Sequence, residues 1–106
     1  MKIITPTELK ALLDAQGDVQ IIDIRDPEAY AAGHIAGSLL IPKMEIPNKV
    51  EDISRSAKVV ICCAYGMKSD QVVIYLQEKH KFKNVWLLDG GLYEYARDFN
   101  PSMQVL

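Results

Sequence analysis

Apolar positions along the chain fall into short continuous runs separated by stretches of helical periodicity. Val19-Gln20-Ile21-Ile22-Asp23-Ile24 and Lys58-Val59-Val60-Ile61-Cys62 show little polar alternation, the pattern of parallel strands covered on both faces. Lys2 to Ile4, Ser38 to Ile41 and Asn84 to Leu88 read as three shorter strands, the second broken by Pro42. Thr5-Pro6-Thr7-Glu8 has the form of a capping box with proline in the first turn. Leu9, Leu12 and Leu13 follow at helical spacing, and Gly17 is the expected stop. Arg25-Asp26-Pro27 turns into a short helix through Ala32 that Gly33 ends, and Pro47 to Ile53 is weakly helical. Ser69 to His80 presents Val72, Val73 and Leu76 on one face, and Gly90-Gly91 opens a last helix through about Asp98. Short strands alternating with helices predict an α/β fold with a mainly parallel sheet.

Composition narrows the picture without changing it. The 106 residues suffice for one domain with one core, and 49% apolar with 25% charged residues is an ordinary globular balance. A net charge of −2 argues against nucleic acid or a membrane surface as partner. No apolar run is long enough to cross a bilayer, and MKIITPTELK lacks the apolar centre of a signal peptide. The two cysteines are neighbours, so a disulfide between them closes almost no loop and constrains the unfolded chain little. Cys62, Cys63, His34 and His80 lack metal-ligand spacing, so neither a metal nor another cofactor is expected. Reduced thiols in a cytoplasmic protein fit this inventory.

The chemistry concentrates in CCAYGMKSD, residues 62 to 70. This stretch joins the carboxyl end of a buried strand to the amino end of a helix, the crevice where open α/β sheets bind ligands. Backbone N–H groups and a positive helix end there favour anions and lower the pKa of a nearby thiol. Cys62 continues the apolar run and reads as a buried packing residue. Cys63 is followed by Gly66, which permits a tight loop, by Lys68, which supplies a cation, and by Ser69, which can cap the next helix. Cys63 is therefore the candidate nucleophile.

At these residues the chain resembles the rhodanese-like sulfurtransferase domains. Their active loop reads Cys-x-x-Gly-x-Arg-Ser, and Cys63 to Ser69 matches it with Lys68 in the arginine position. Asp23-Ile24-Arg25 followed by Gly33-His34-Ile35-Ala36-Gly37-Ser38 is similar to the family's upstream signature, Asp-Val-Arg then Gly-His-Ile-Pro-Gly-Ala. Gly90-Gly91-Leu92-Tyr93-Glu94-Tyr95 is similar to its closing Gly-Gly-x-x-x-Trp, with Tyr95 for tryptophan. The resemblance spans nearly the whole chain and implies a single domain over residues 1–106. It implies a five-stranded, mainly parallel sheet with helices on both faces, and a sulfurtransferase that works through a Cys63 persulfide. Ala64, Tyr65, Gly66, Met67, Lys68 and Ser69 would bind the substrate. The donor implied is a small sulfur-containing anion such as thiosulfate, or a persulfide, and the acceptor a thiol, cyanide or a sulfur-relay protein. Lysine lacks the forked donors of arginine, which weakens the case for thiosulfate as natural donor. Ala29 stands where many members have glutamate and Ala36 where they have proline, each with local structural effects.

The remaining polar residues have two readings each. Asp23 and Arg25, on a strand expected beside the Cys63 strand, either shape the site's field or only fix the loop through a salt bridge. Tyr65 and Met67 either line the mouth of the site or face solvent. Tyr75 is expected to pack, His34 to serve as a turn residue, and His80 as a favourable charge at a helix end. Two rival functions stand beside sulfur transfer. Counted from Cys62, the loop has the Cys-x5-Lys form of a cysteine phosphatase with lysine for arginine. A sulfur-carrier or binding module that docks on a dedicated partner would also keep this loop.

Overall fold

The long apolar runs become the centre of a five-stranded sheet. In the computed structural model, which describes residues 1–106, the strands are β1 (Lys2–Ile4), β2 (Val19–Asp23), β3 (Leu39–Leu40), β4 (Lys58–Cys62) and β5 (Val85–Leu88). Their order is β1-β5-β4-β2-β3, and every neighbouring pair is parallel. Three α-helices connect strands, α1 (Pro6–Asp14), α2 (Pro27–Ala32) and α3 (Ser69–His80), and a fourth, α4 (Gly91–Phe99), follows β5. Each parallel neighbour requires a crossover, which places helices on both faces and explains why β2 and β4 carry apolar side chains on both sides. None of the helices is long and apolar enough to cross a membrane.

Two cores flank the sheet. On one side Ile22, Val59, Ile61 and Val85 pack against Val72, Val73 and Leu76 of α3. On the other Ile21, Val60 and Leu88 pack against Leu9 of α1 and Leu92 and Tyr95 of α4. Tyr95, which replaces the family's tryptophan, is thus a buried core residue. Successive residues of β4 alternate between these cores, so its last residues are committed to opposite faces.

Most boundaries agree with the periodicity, and the exceptions have local causes. The capping box forms in full: Glu8 N–H donates to Thr5 Oγ1 at 3.1 Å, and Thr5 N–H donates to Glu8 Oε1 at 2.9 Å. Gly17 does end α1, but the left-handed residue is Gln16, with φ of 55°. Gly17 N–H reaches Leu12 O and Gln16 N–H reaches Leu13 O, closing the paired-bond termination in which glycine usually takes the left-handed place. The edge strand shrinks from the expected Ser38 to Ile41 to Leu39–Leu40. The weak helix expected over Pro47 to Ile53 is instead two 3₁₀ segments, Lys43–Asn48 and Val50–Asp52. Pro47 lacks the N–H an α-turn needs, and Lys49, with φ of −128°, separates them.

Gln16 holds a conformation that favours glycine. Gln16→Gly is therefore expected to stabilise the protein by about 0.5–1 kcal/mol, read as a higher urea midpoint at unchanged slope. A lower midpoint would contradict this reading of the α1 terminus.

Candidate active site

β4 ends between β5 and β2 at the middle of the sheet, and the chain then turns through residues 63–68 into α3. The alternation established along β4 separates the two cysteines. Cys62, wholly buried, joins the α1/α4 core, and its Sγ lies 3.5 Å from the Ile22 carbonyl. Cys63 turns toward α3 and keeps 5% of its surface open. Gly66, with φ of 80°, folds the loop back so that its N–H donates to Cys63 Sγ at 3.1 Å. The Ser69 hydroxyl lies 3.4 Å from the same sulfur.

These environments drive the thiols in opposite directions. Burial pushes Cys62 well above its ordinary value; the Asp23 carboxylate adds to this, and Arg25 opposes it. Burial also pushes Cys63 up, but the Ser69 hydroxyl and the N–H groups of Lys68, Ser69 and Gly66 outweigh it and bring the thiol below its ordinary value. A thiolate held by N–H and O–H donors is the ionised form a nucleophile needs.

Two loop residues act differently from the sequence expectation. Ser69 does not cap α3: Lys68 occupies the N-cap position, no side chain bonds there, and Ser69 opens the helix with its hydroxyl turned to the sulfur. Lys68 acts on the thiol through its backbone N–H; its side chain is exposed, and its ammonium is not among the groups shifting Cys63. Tyr65 and Met67 face solvent, at 57% and 79% exposure, with Tyr65 leaning on Tyr93 at 5.5 Å between ring centres. Ala64 is half-buried. Two cavities of about 380 and 190 Å³ lie elsewhere on the surface and are lined by no residue of the 63–69 loop. The thiol itself is held between the Gly66 N–H and the Ser69 hydroxyl.

Asp23 and Arg25 lie behind the loop, not in it. Asp23 is in register with Cys62 on β4. Arg25 Nη2 donates to Asp23 Oδ2 at 2.8 Å and to the Gly33 carbonyl at 2.6 Å, both side chains being almost fully buried. The pair ties β2 to the segment after α2 and touches the field of Cys62, while neither member is among the groups shifting Cys63. His34 stacks on Tyr30 at 3.7 Å with Nδ1 at 2.7 Å from the Tyr30 carbonyl, which marks a turn residue. Tyr75 packs on the α3 core, and its hydroxyl lies 3.0 Å from His80 Nε2. The sequence reading missed the amino end of α4: Leu92 N–H donates to Cys63 O at 2.9 Å and Tyr93 N–H to Ala64 O at 2.8 Å. Only the Gly90-Gly91 pair hinted that backbone there comes close to something.

The rhodanese-like domain profile matches residues 5–98. The chain belongs to the rhodanese-like domain family. Among curated rhodanese relatives, the thiosulfate sulfurtransferase GlpE of Pseudomonas entomophila is 37% identical over 101 residues, covering 95% of this chain and 89% of that protein. GlpE of Pseudoalteromonas translucida is 33% identical, covering 97% and 96%. The crystal structure of a rhodanese-like domain protein from Staphylococcus aureus superposes with a TM-score of 0.84 at 31% identity, covering 100% and 99% of the two chains.

Because the Asp23–Arg25 pair supports the fold from the far face, removing it should separate stability from reactivity. Arg25→Ala strands a buried carboxylate and is expected to cost about 3–5 kcal/mol in urea unfolding. The pH midpoint of Cys63 alkylation in the folded variant should stay where the wild type has it. A shifted midpoint would return Arg25 to the site's field.

Proposed function

We propose that Cys63 carries sulfane sulfur as a persulfide, with Ala64, Tyr65, Gly66, Met67, Lys68 and Ser69 receiving donor and acceptor, in a single rhodanese-like domain spanning residues 1–106. The enzyme is a rhodanese-type sulfurtransferase. The observation that carries this reading is the Cys63 sulfur held at 3.1 Å by the Gly66 N–H and at 3.4 Å by the Ser69 hydroxyl, with a pKa below the ordinary thiol value. In the first half-reaction the Cys63 thiolate attacks the outer sulfur of a donor such as thiosulfate. A new S–S bond forms, the donor's own bond breaks, and its electron pair leaves with sulfite. In the second, cyanide or an acceptor thiolate attacks the terminal sulfur and Cys63 departs as the thiolate, giving thiocyanate or a new persulfide. The lowered pKa serves both halves, since it supplies the nucleophile and makes a better leaving group. Loop amides holding the terminal sulfur act like an oxyanion hole, where one donor is typically worth about 3 kcal/mol.

The phosphatase reading has little support. Its cysteine would be Cys62, which is wholly buried in the opposite core with a raised pKa. A carrier that docks on a dedicated protein has one observation in its favour, the exposed apolar rim of Tyr65 and Met67. A cytoplasmic setting, where thiols stay reduced, suits both free cysteines.

Replacement of Cys63 by serine is expected to abolish thiocyanate formation from thiosulfate and cyanide while preserving the fold. Cys62→Ala should keep most of the rate, and peptide mapping after brief thiosulfate treatment should find the added sulfur on Cys63. Sulfur found on Cys62, or a Cys63→Ser protein as active as wild type, would defeat the assignment.

A different outcome is expected at Lys68. The exposed ammonium lends at most about 1 kcal/mol to an anion, so Lys68→Ala should raise KM for thiosulfate by up to about fivefold without moving the alkylation midpoint of Cys63. Lys68→Arg should lower that KM by adding a forked donor. An alanine variant whose midpoint rises would show that the side chain, and not the backbone, holds the thiolate.

A further inference from the structure

Gly91 lies far from the reacting sulfur in sequence, and its Cα presses on the loop that holds it. A Cβ built at Gly91 would stand 2.5 Å from Gly66 N, 2.6 Å from Ala64 O and 2.7 Å from Tyr65 C. All three are backbone atoms of the active loop, and the first belongs to the amide that donates to Cys63 Sγ. The next two residues donate N–H bonds to Cys63 O and Ala64 O. Gly91 also has φ of 67°, in the left-handed region. The contact is mutual, since a Cβ at Gly66 would meet Gly91 N at 3.3 Å and Gly90 N at 3.4 Å.

We propose that Gly91 is a positioning residue for the reaction: its bare Cα and the Leu92 and Tyr93 amides together form the floor that sets the Gly66 N–H against the Cys63 sulfur. The inference rests on the Cys63 reading for its meaning but not for its test, because alkylation reports the thiolate whether or not sulfur is transferred. Gly90 supplies an internal control. Its φ of 71° makes alanine as strained there as at Gly91. The three atoms nearest the Cβ of Gly90→Ala, however, all belong to the Glu94 side chain, the first being Oε2 at 1.9 Å, and a flexible carboxylate can swing away. The two variants thus share the backbone strain and differ in what the methyl group displaces.

The test compares wild type, Gly90→Ala and Gly91→Ala by urea unfolding, by the pH dependence of Cys63 alkylation with iodoacetamide, and by thiocyanate formation. Both variants should lose stability. Only Gly91→Ala should raise the alkylation midpoint, by about one pH unit, and lower kcat/KM by on the order of 100-fold. Gly90→Ala should keep the wild-type midpoint and most of the rate. A folded Gly91→Ala protein with the wild-type midpoint overturns the proposal, as does a Gly90→Ala protein with the same shift. Amide hydrogen exchange on the unmodified protein supplies a test that needs no variant. First-turn helix amides have no intrahelical partner and ordinarily exchange fast. Leu92 and Tyr93 should be protected with Gly66, and fast exchange at both would remove the floor.

Discussion

Two helix amino termini that lack side-chain caps converge on residues 63–66, and the site follows from how their amides are satisfied. The first turn of any helix leaves N–H groups without intrahelical partners, and leaving one buried and unmet costs about 1–3 kcal/mol. α1 solves this with its own side chains, Thr5 and Glu8. α3 and α4 have no side-chain cap. At α3 the N–H groups of Lys68 and Ser69 help hold the Cys63 thiol below its ordinary pKa, and α4 gives those of Leu92 and Tyr93 to the carbonyls of Cys63 and Ala64. The Cys63 sulfur therefore stands at the uncapped end of α3, where nearby N–H groups favour its ionised form.

The pleat of β4 decides which cysteine can take that role. Cys62 and Cys63 are adjacent in the chain, yet one faces Asp23 and a sealed core while the other faces the donors of the loop. Their opposed pKa directions have opposed consequences for stability. Cys63, held below the ordinary thiol value, adds stability above about pH 8.5, where the unfolded thiol ionises, and loses it as pH falls through its folded value. Cys62, held above, contributes stability below about pH 8.5 and loses it as pH rises toward its folded value. The Asp23–Arg25 pair belongs with Cys62. It ties the strand next to the site to the Gly33 carbonyl from behind, a geometry that favours the structural one of its two readings.

Features that depend on neighbours in the chain were legible in the sequence. The capping box at Thr5, the buried runs of β2 and β4 and the different fates of Cys62 and Cys63 all rest on local periodicity. What eluded the sequence was geometry finer than one residue or longer in range than one element. Ser69 looks like a cap, but the helix begins one position earlier than a serine cap requires, with Lys68 at the N-cap, and the Ser69 hydroxyl lies beside the sulfur instead. Lys68 looks like the source of positive potential, yet a flexible ammonium can extend into water while its own N–H stays fixed. Gln16 takes a left-handed place beside a glycine that seemed made for it, because bond pairing sets the turn and residue type only tunes its cost. The contact of Gly91 with Gly66 joins positions brought together only when β5 lies beside β4, so no local pattern can announce it.

The division between backbone and side chain in the loop bears on how such a site changes its substrates. The sulfur accepts from the Gly66 N–H and lies beside the Ser69 hydroxyl, and the loop backbone that carries them packs on Gly91, where a Cβ would stand 2.5 Å from Gly66 N. Tyr65, Met67 and Lys68 stand at the rim with their side chains in solvent. On the proposed reading, a change at the rim alters what approaches the thiol, whereas a change at Gly66 or Gly91 displaces the amide that holds it. Lysine at position 68, where the family motif that the loop resembles has arginine, is a change at this rim. On the proposed reading it bears on the grip on an anionic donor, while the Gly66 amide and the Ser69 hydroxyl stay beside Cys63, because neither depends on the side chain at position 68.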